Sequence, residues 1–117
     1  MMVMTVLISN PVYVHVRDVI SYADLTVDGR KYVEVYINTP VTLELRIRLL
    51  KSLPFPIKAV IPLEVRGPKS FVIENAFTLN FNVGEVEKMG RFTISFDTPG
   101  KYVCRALVGE VNISVVG

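Results

Sequence analysis

Chemistry-bearing residues are scarce in this chain of 117 residues. It has one cysteine, one histidine and no tryptophan. A lone cysteine excludes an internal disulfide, and a reducing cytoplasm is the simplest compartment for it. One histidine and one cysteine cannot supply the several nitrogen or sulfur ligands of a zinc or copper site, so no metal or cofactor is expected. His15 shares a strand face with Tyr13 and Arg17 and reads as an ordinary strand residue. The chain has no glycine-rich phosphate cradle and no dense oxygen-ligand loop for calcium. Net charge is only +2, with a pI near 8.8, too mild by itself to imply nucleic acid. No apolar run is long enough to span a membrane. Residues 1–8 are apolar apart from Thr5, but no Lys or Arg precedes Arg17, and Ser9-Asn10-Pro11 is a poor cleavage site. That run reads as a buried first strand rather than a signal peptide.

What the chain does have is apolar residues, in excess. They make up 50% of it, against 21% charged, with mean hydropathy +0.42. A two-layer domain of this length, residues 1–117, needs about half its strand positions inside. The surplus must lie on a surface, which points to an oligomer or a stable protein partner. Abundant valine and the absence of glutamine suit a thermophile.

These apolar residues alternate with polar ones. Val41, Leu43, Leu45, Ile47 and Leu49 point one way, and Thr42, Glu44, Arg46 and Arg48 the other. A period of two is a β-strand with one wet face. After Pro11, Val12, Val14, Val16, Ile20 and Tyr22 share a face. Val27-Asp28-Gly29-Arg30 carries the Asp-Gly pair that a type I′ turn requires. Val33, Val35 and Ile37 then point inward, with Tyr32, Glu34 and Tyr36 outward. Ile57, Ala59, Ile61, Leu63 and Val65 form a further strand, and Pro62 within it argues for a sheet edge. Phe71, Ile73, Phe77, Leu79, Phe81 and Val83 line a long inward face. Residues 84–90 read as a polar loop or one helical turn, followed by a short strand with Phe92, Ile94 and Phe96 inward. Tyr102, Cys104, Ala106 and Val108 share the next face, and Gly109 permits a turn into Val111, Ile113 and Val115. Eight or nine mostly antiparallel strands, with turn signals about every ten residues, make an all-β sandwich.

Gly100-Lys101-Tyr102-Val103-Cys104 resembles the Gly-x-Tyr-x-Cys stretch that opens strand F of immunoglobulin-like domains. The resemblance covers the last quarter of the chain and names no particular member. It implies an immunoglobulin-like β-sandwich, with residues 91–97 as strand E and 110–116 as strand G. It also implies a structural role for Tyr102, whose hydroxyl would return to upstream backbone as a tyrosine corner. The second cysteine and core tryptophan of antibody domains are missing, and Asp97 stands one place further from the tyrosine than usual. Members of that superfamily mostly bind other proteins or build assemblies.

No catalytic constellation emerges. Cys104, between Tyr102 and Ala106 on its face, reads as a small buried hydrophobe. The carboxylates are scattered one per strand or turn. The one charge bias is Arg46, Arg48, Lys51, Lys58, Arg66 and Lys69. If the strands carrying Arg46, Arg48 and Lys58 pair, these three form a basic patch for nucleic acid or another polyanion. A solvated face guarding an edge is the simpler explanation of them. Asn112-Ile113-Ser114 matches a glycosylation acceptor by chance, given no secretion signal. Tyr13, Tyr32 and Tyr36, outward on their strands, are the side chains that protein interfaces favour. The sequence therefore reads as a non-enzymatic interaction or assembly module, with a polyanion binder as the alternative.

Overall fold

Alternation of this kind leaves every strand with an apolar face that only a second layer can cover. In the computed structural model, which describes the backbone of residues 5–8 and 13–15 and all of residues 19–117, two sheets provide that cover. The strands are β1 (Thr5–Ile8), β2 (Tyr13–His15), β3 (Ile20–Thr26), β4 (Tyr32–Tyr36), β5 (Val41–Leu49), β6 (Ile57–Arg66), β7 (Phe71–Phe81), β8 (Glu87–Ile94), β9 (Gly100–Ala106) and β10 (Gly109–Val116). The smaller sheet has the order β3-β5-β8. The larger runs β2-β1-β6-β9-β10-β4, with β7 on the other edge of β6. Every pairing is antiparallel except β4 with β10, which is parallel. Among the described residues, no helix is long and apolar enough to cross a membrane.

Between the sheets lies one continuous apolar cluster. Leu25, Leu43, Leu45 and Ile47 come from the smaller sheet, and Ile61, Leu63, Phe77, Cys104, Val111 and Ile113 from the larger. No charged or polar side chain is buried with them among the described residues. The core is thus held by apolar burial alone, worth about 25 cal/mol per Å² removed from water.

Several expectations change once the chain is folded. There are ten strands rather than eight or nine, because the stretch expected as one strand around residues 12–22 divides into β2 and β3. A register shift between Ile20 and Tyr22 then turns the phase, so Ala23 and Leu25 go inside and Tyr22 is exposed. Such a bulge inserts one residue and reverses every later side chain. Phe71, at the start of β7, and Val83, in the turn after it, are exposed although expected inward. The region 84–90 holds no helical turn. Asn82–Glu85 is a tight turn with Gly84 at φ +86, closed by the Glu85 amide donating to the Asn82 carbonyl at 3.0 Å. β8 then begins at Glu87 and runs through Gly90, where a Cβ would lie 2.7 Å from Leu79 Cδ2.

Pro62 is not at an edge. β6 is an interior strand, paired with β7 along its length, and Pro62 sits at a register shift between Ile61 and Leu63. There β6 changes neighbours, from β1 at residues 57–60 to β9 at residues 64–66. A bulge is the other place in a sheet where a missing N–H can be tolerated. β1, likewise, is interior, bonded to β2 on one side and β6 on the other. The turn into β10 is made by Leu107 at φ +58 rather than by Gly109. Gly109 serves a different need: a Cβ there would stand 2.7 Å from the Leu25 amide nitrogen, where the two sheets meet.

The Asp28-Gly29 turn forms as expected. Asp28 and Gly29 have φ of +50 and +75, and Val27 and Arg30 exchange both backbone hydrogen bonds. The strands it joins then separate at once: β3 pairs with β5 in one sheet and β4 with β10 in the other. The turn is a corner of the sandwich, and it leaves β4 as an outermost strand.

Candidate protein-binding surface on the larger sheet

The parallel pairing of β4 with β10 decides what this outer face presents. Register places Tyr32 beside Asn112, Glu34 beside Ser114 and Tyr36 beside Val116. β10 in turn sets Asn112 beside Val103 and Ser114 beside Lys101 of β9. Tyr36 is 71% exposed and Tyr32 56%, among the most exposed large apolar side chains described. The result is two tyrosines standing at either end of an edge strand, over a low floor of Asn112, Ser114, Val116 and Val103. Tyrosine brings large contact area at small entropic cost, and Ser and Asn bring adaptable hydrogen bonding. Tyr13 lies in β2, and its side chain is outside the described residues.

Arg46, Arg48 and Lys58 are not brought together. β5 pairs with β3 and β8, whereas β6 lies in the larger sheet. Their polar residues point outward from opposite layers, so Lys58 is on the far side from the two arginines. The conditional basic patch therefore does not assemble. Arg46 and Arg48 both reach Glu87 of β8, at 3.4 and 2.9 Å. Arg91 meets Glu44 at 3.6 Å, and Lys31 meets Asp24 at 2.6 Å. Lys31 holds the Asp24 carboxyl below the usual carboxylate range. The outer face of the smaller sheet is thus a charge-balanced checkerboard. Exposed pairs of this sort add little stability, about 0–1 kcal/mol each.

Tyr102 and Cys104 belong to the frame that carries the surface. Tyr102 is 2% exposed, and its hydroxyl donates to the Thr98 carbonyl at 2.7 Å. Its ring lies 4.3 Å from that of Phe96. Asp97 closes the same corner by accepting from Thr98 Oγ1 and from Lys69 Nζ, both at 3.0 Å. Those two bonds, the lysine's first, hold its carboxyl below the ordinary range. Tyr102→Phe removes one buried hydrogen bond and little packing. It should cost about 1 kcal/mol, read as the shift in denaturant midpoint. An unchanged midpoint would show the hydroxyl bond to be idle. Cys104 is fully buried and lines no opening, and among the described residues no three His, Cys, Asp or Glu gather as a metal site would.

The sequence missed Asn112, Ser114 and Val116. Alternation puts them outward, but only the parallel pairing, which leaves no local signal, sets them beside the tyrosines.

No protein-family model matches the chain, and no curated protein matches it in sequence. The chain does share its fold with a solved structure. Over 84% of its length it superposes on the alkylpurine DNA glycosylase AlkC of Pseudomonas fluorescens, bound to DNA containing an abasic site analog, with TM-score 0.56 and 14% identity. The matched part is 30% of the glycosylase chain. A second likeness is to a chain from a structure of T-cell activation by the bacterial superantigen toxic shock syndrome toxin-1. It covers 81% of this chain and 98% of that one, at TM-score 0.38 and 16% identity. At 14% identity the likeness to the glycosylase is one of fold alone.

Proposed function

We propose that this chain is a non-enzymatic protein-interaction or assembly module, built as one immunoglobulin-like sandwich and working in a reducing, cytoplasmic setting. The observation that carries the reading is the tyrosine pair on β4, exposed over a floor of two small polar side chains and two valines. The immunoglobulin-like assignment draws support from strand order. With β9 taken as F, β10 as G and β8 as E, β6 falls at C, giving C-F-G in one sheet. β3 and β5 fall at A and B, giving A-B-E in the other. The bond from the Tyr102 hydroxyl to the Thr98 carbonyl also supports the assignment. β7, paired with β6 in the larger sheet, is outside these two sets, as are β4 and the β1–β2 pair.

The alternative, a polyanion binder using Arg46, Arg48 and Lys58, draws only on the fold likeness to a glycosylase bound to DNA. Its three cations lie on opposite layers, and two of them share Glu87.

Replacing Tyr36 with a photoreactive phenylalanine analogue separates the two readings. Irradiated in its native cells, the protein should give a protein adduct at position 36. The same analogue at Thr93, on the outer face of the smaller sheet, should give far less. A nucleic-acid adduct, or equal labelling at both positions, would overturn the interaction surface proposed here.

A further inference from the structure

β4 reads Tyr32-Val33-Glu34-Val35-Tyr36, the same sequence in either direction. It also has one edge that pairs with no described strand. The Lys31 carbonyl accepts from the Asn112 amide, and the Ile37 amide donates to the Val116 carbonyl, both at 2.9 Å. In a strand, alternate residues aim both backbone groups at the same neighbour. Residues 31, 33, 35 and 37 therefore bond toward β10. Tyr32, Glu34 and Tyr36 aim their N–H and C=O groups at the open edge. Among the described residues, only the Tyr36 carbonyl has another donor there, the Thr39 amide at 3.3 Å, and a carbonyl oxygen has two lone pairs.

From this we infer that β4 pairs antiparallel with β4 of a second copy of the chain, about a two-fold axis through Glu34. The inference rests on the reading of β4 as an interaction element and names its partner. Three features select that one register. The palindrome matches outward with outward residues, Tyr32 with the partner's Tyr36, and inward with inward, Val33 with the partner's Val35. The axis falls on a residue whose free backbone groups face the edge, so each of the three open residues both donates and accepts one interchain bond. Val33 and Val35, only half-buried at the end of the sheet, gain the neighbour that would bury them. A two-fold interface of this kind is self-complementary and closes at two copies. The two larger sheets become one continuous sheet across the axis.

The same symmetry puts Glu34 opposite the partner's Glu34 on the outer face. Like charges directly across a strand pair weaken it. The nearest cation by register is Lys101, one strand beyond Ser114, too far to neutralise it fully. Glu34 thus limits the pairing to a weak, reversible one, and an uncharged residue there should strengthen it.

Sedimentation of the full chain across a concentration series should show the mass rising from 13.1 kDa toward twice that value as concentration approaches about 1 mM, the weak regime of small interfaces. Glu34→Gln should tighten association about fivefold. Glu34→Pro should abolish it. Proline there removes an N–H that points to the open edge and leaves the ladder to β10 intact. Glu34→Cys gives a covalent test, because facing residues of a hydrogen-bonded antiparallel pair have Cα atoms about 5.5 Å apart, within disulfide reach. With diamide as oxidant it should form a cross-linked dimer in high yield. Tyr32→Cys, which would face the partner's Tyr36, should not. Cys104, fully buried, stays out of the reaction.

A mass fixed at 13.1 kDa up to that concentration, together with no cross-link from Glu34→Cys, would overturn self-pairing. A protein adduct at position 36 would then still uphold the interaction module, with a different partner. Equal cross-linking by Glu34→Cys and Tyr32→Cys would overturn the two-fold register.

Discussion

Gly67→Ala should lower the stability of this protein by about 2–3 kcal/mol and its melting temperature by about 10 °C. The added methyl would lie 2.6 Å from Tyr102 Cδ2 and 2.8 Å from the Lys101 carbonyl oxygen. Neither neighbour can yield cheaply. The Tyr102 ring is packed on Phe96 and pinned at its far end by the Thr98 carbonyl. Lys101 is part of the β9 ladder with β10. The chain must shift two strands' worth of contacts or unseat the corner. Gly84→Ala is the contrasting case, since Gly84 has a positive φ, +86, and open space around it, whereas Gly67 is crowded without a positive φ. There only the backbone strain of a left-handed residue applies, about 1–2 kcal/mol. Calorimetry on the two variants compares them directly. If Gly67→Ala costs no more than Gly84→Ala, the corner is soft.

Cys104 should be nearly inert toward thiol reagents until the protein unfolds. Burial pushes its thiol up from 9.0 to about 12. At pH 8 the thiolate is then about a thousandfold scarcer than in the open chain, before any steric shielding is counted. Labelling with a maleimide should be slow in buffer and fast in denaturant, and rapid native labelling would contradict the burial. The same shift has a consequence for stability. Because the folded value lies above the unfolded one, the folded state favours the protonated thiol. That contribution is complete below about pH 9 and is lost as pH rises from there toward 12. The loss has a slope of about 1.4 kcal/mol per pH unit. Cys104→Ala removes this slope, and the difference between the two proteins above pH 9 isolates it from other titrating groups.

Much of this architecture was legible in the chain. Period-two alternation in β5 and β6 assigned each of their inward residues, because one face of each strand has to be buried. The Asp28-Gly29 turn was legible because few other pairs accept two positive φ angles. The failures share a cause, which is that partner choice is not a local property. Nothing near Pro62 reports that β6 exchanges β1 for β9 there. Nothing near Ile20 reports the bulge that turns Tyr22 outward. The basic patch failed for the same reason: outward faces were correct for Arg46, Arg48 and Lys58, but their strands joined different layers. The tyrosines at positions 32 and 36 were legible as exposed, while their floor on β10 depends on a pairing between segments far apart in sequence.

That distance also bears on how the protein is made. Tyr32 pairs with Asn112, about eighty residues further along the chain. Closing so long a loop is slow compared with forming a hairpin such as β9–β10. The Asp28-Gly29 corner sends β3 away to the other sheet, so β4 has no early neighbour. During synthesis it waits with both edges bare, a short β-rich segment whose sequence fits another copy of itself. Its central carboxylate then has a second use, as a brake on premature pairing between nascent chains. Removing that charge should raise the yield of aggregates during expression, even though it leaves the finished fold untouched.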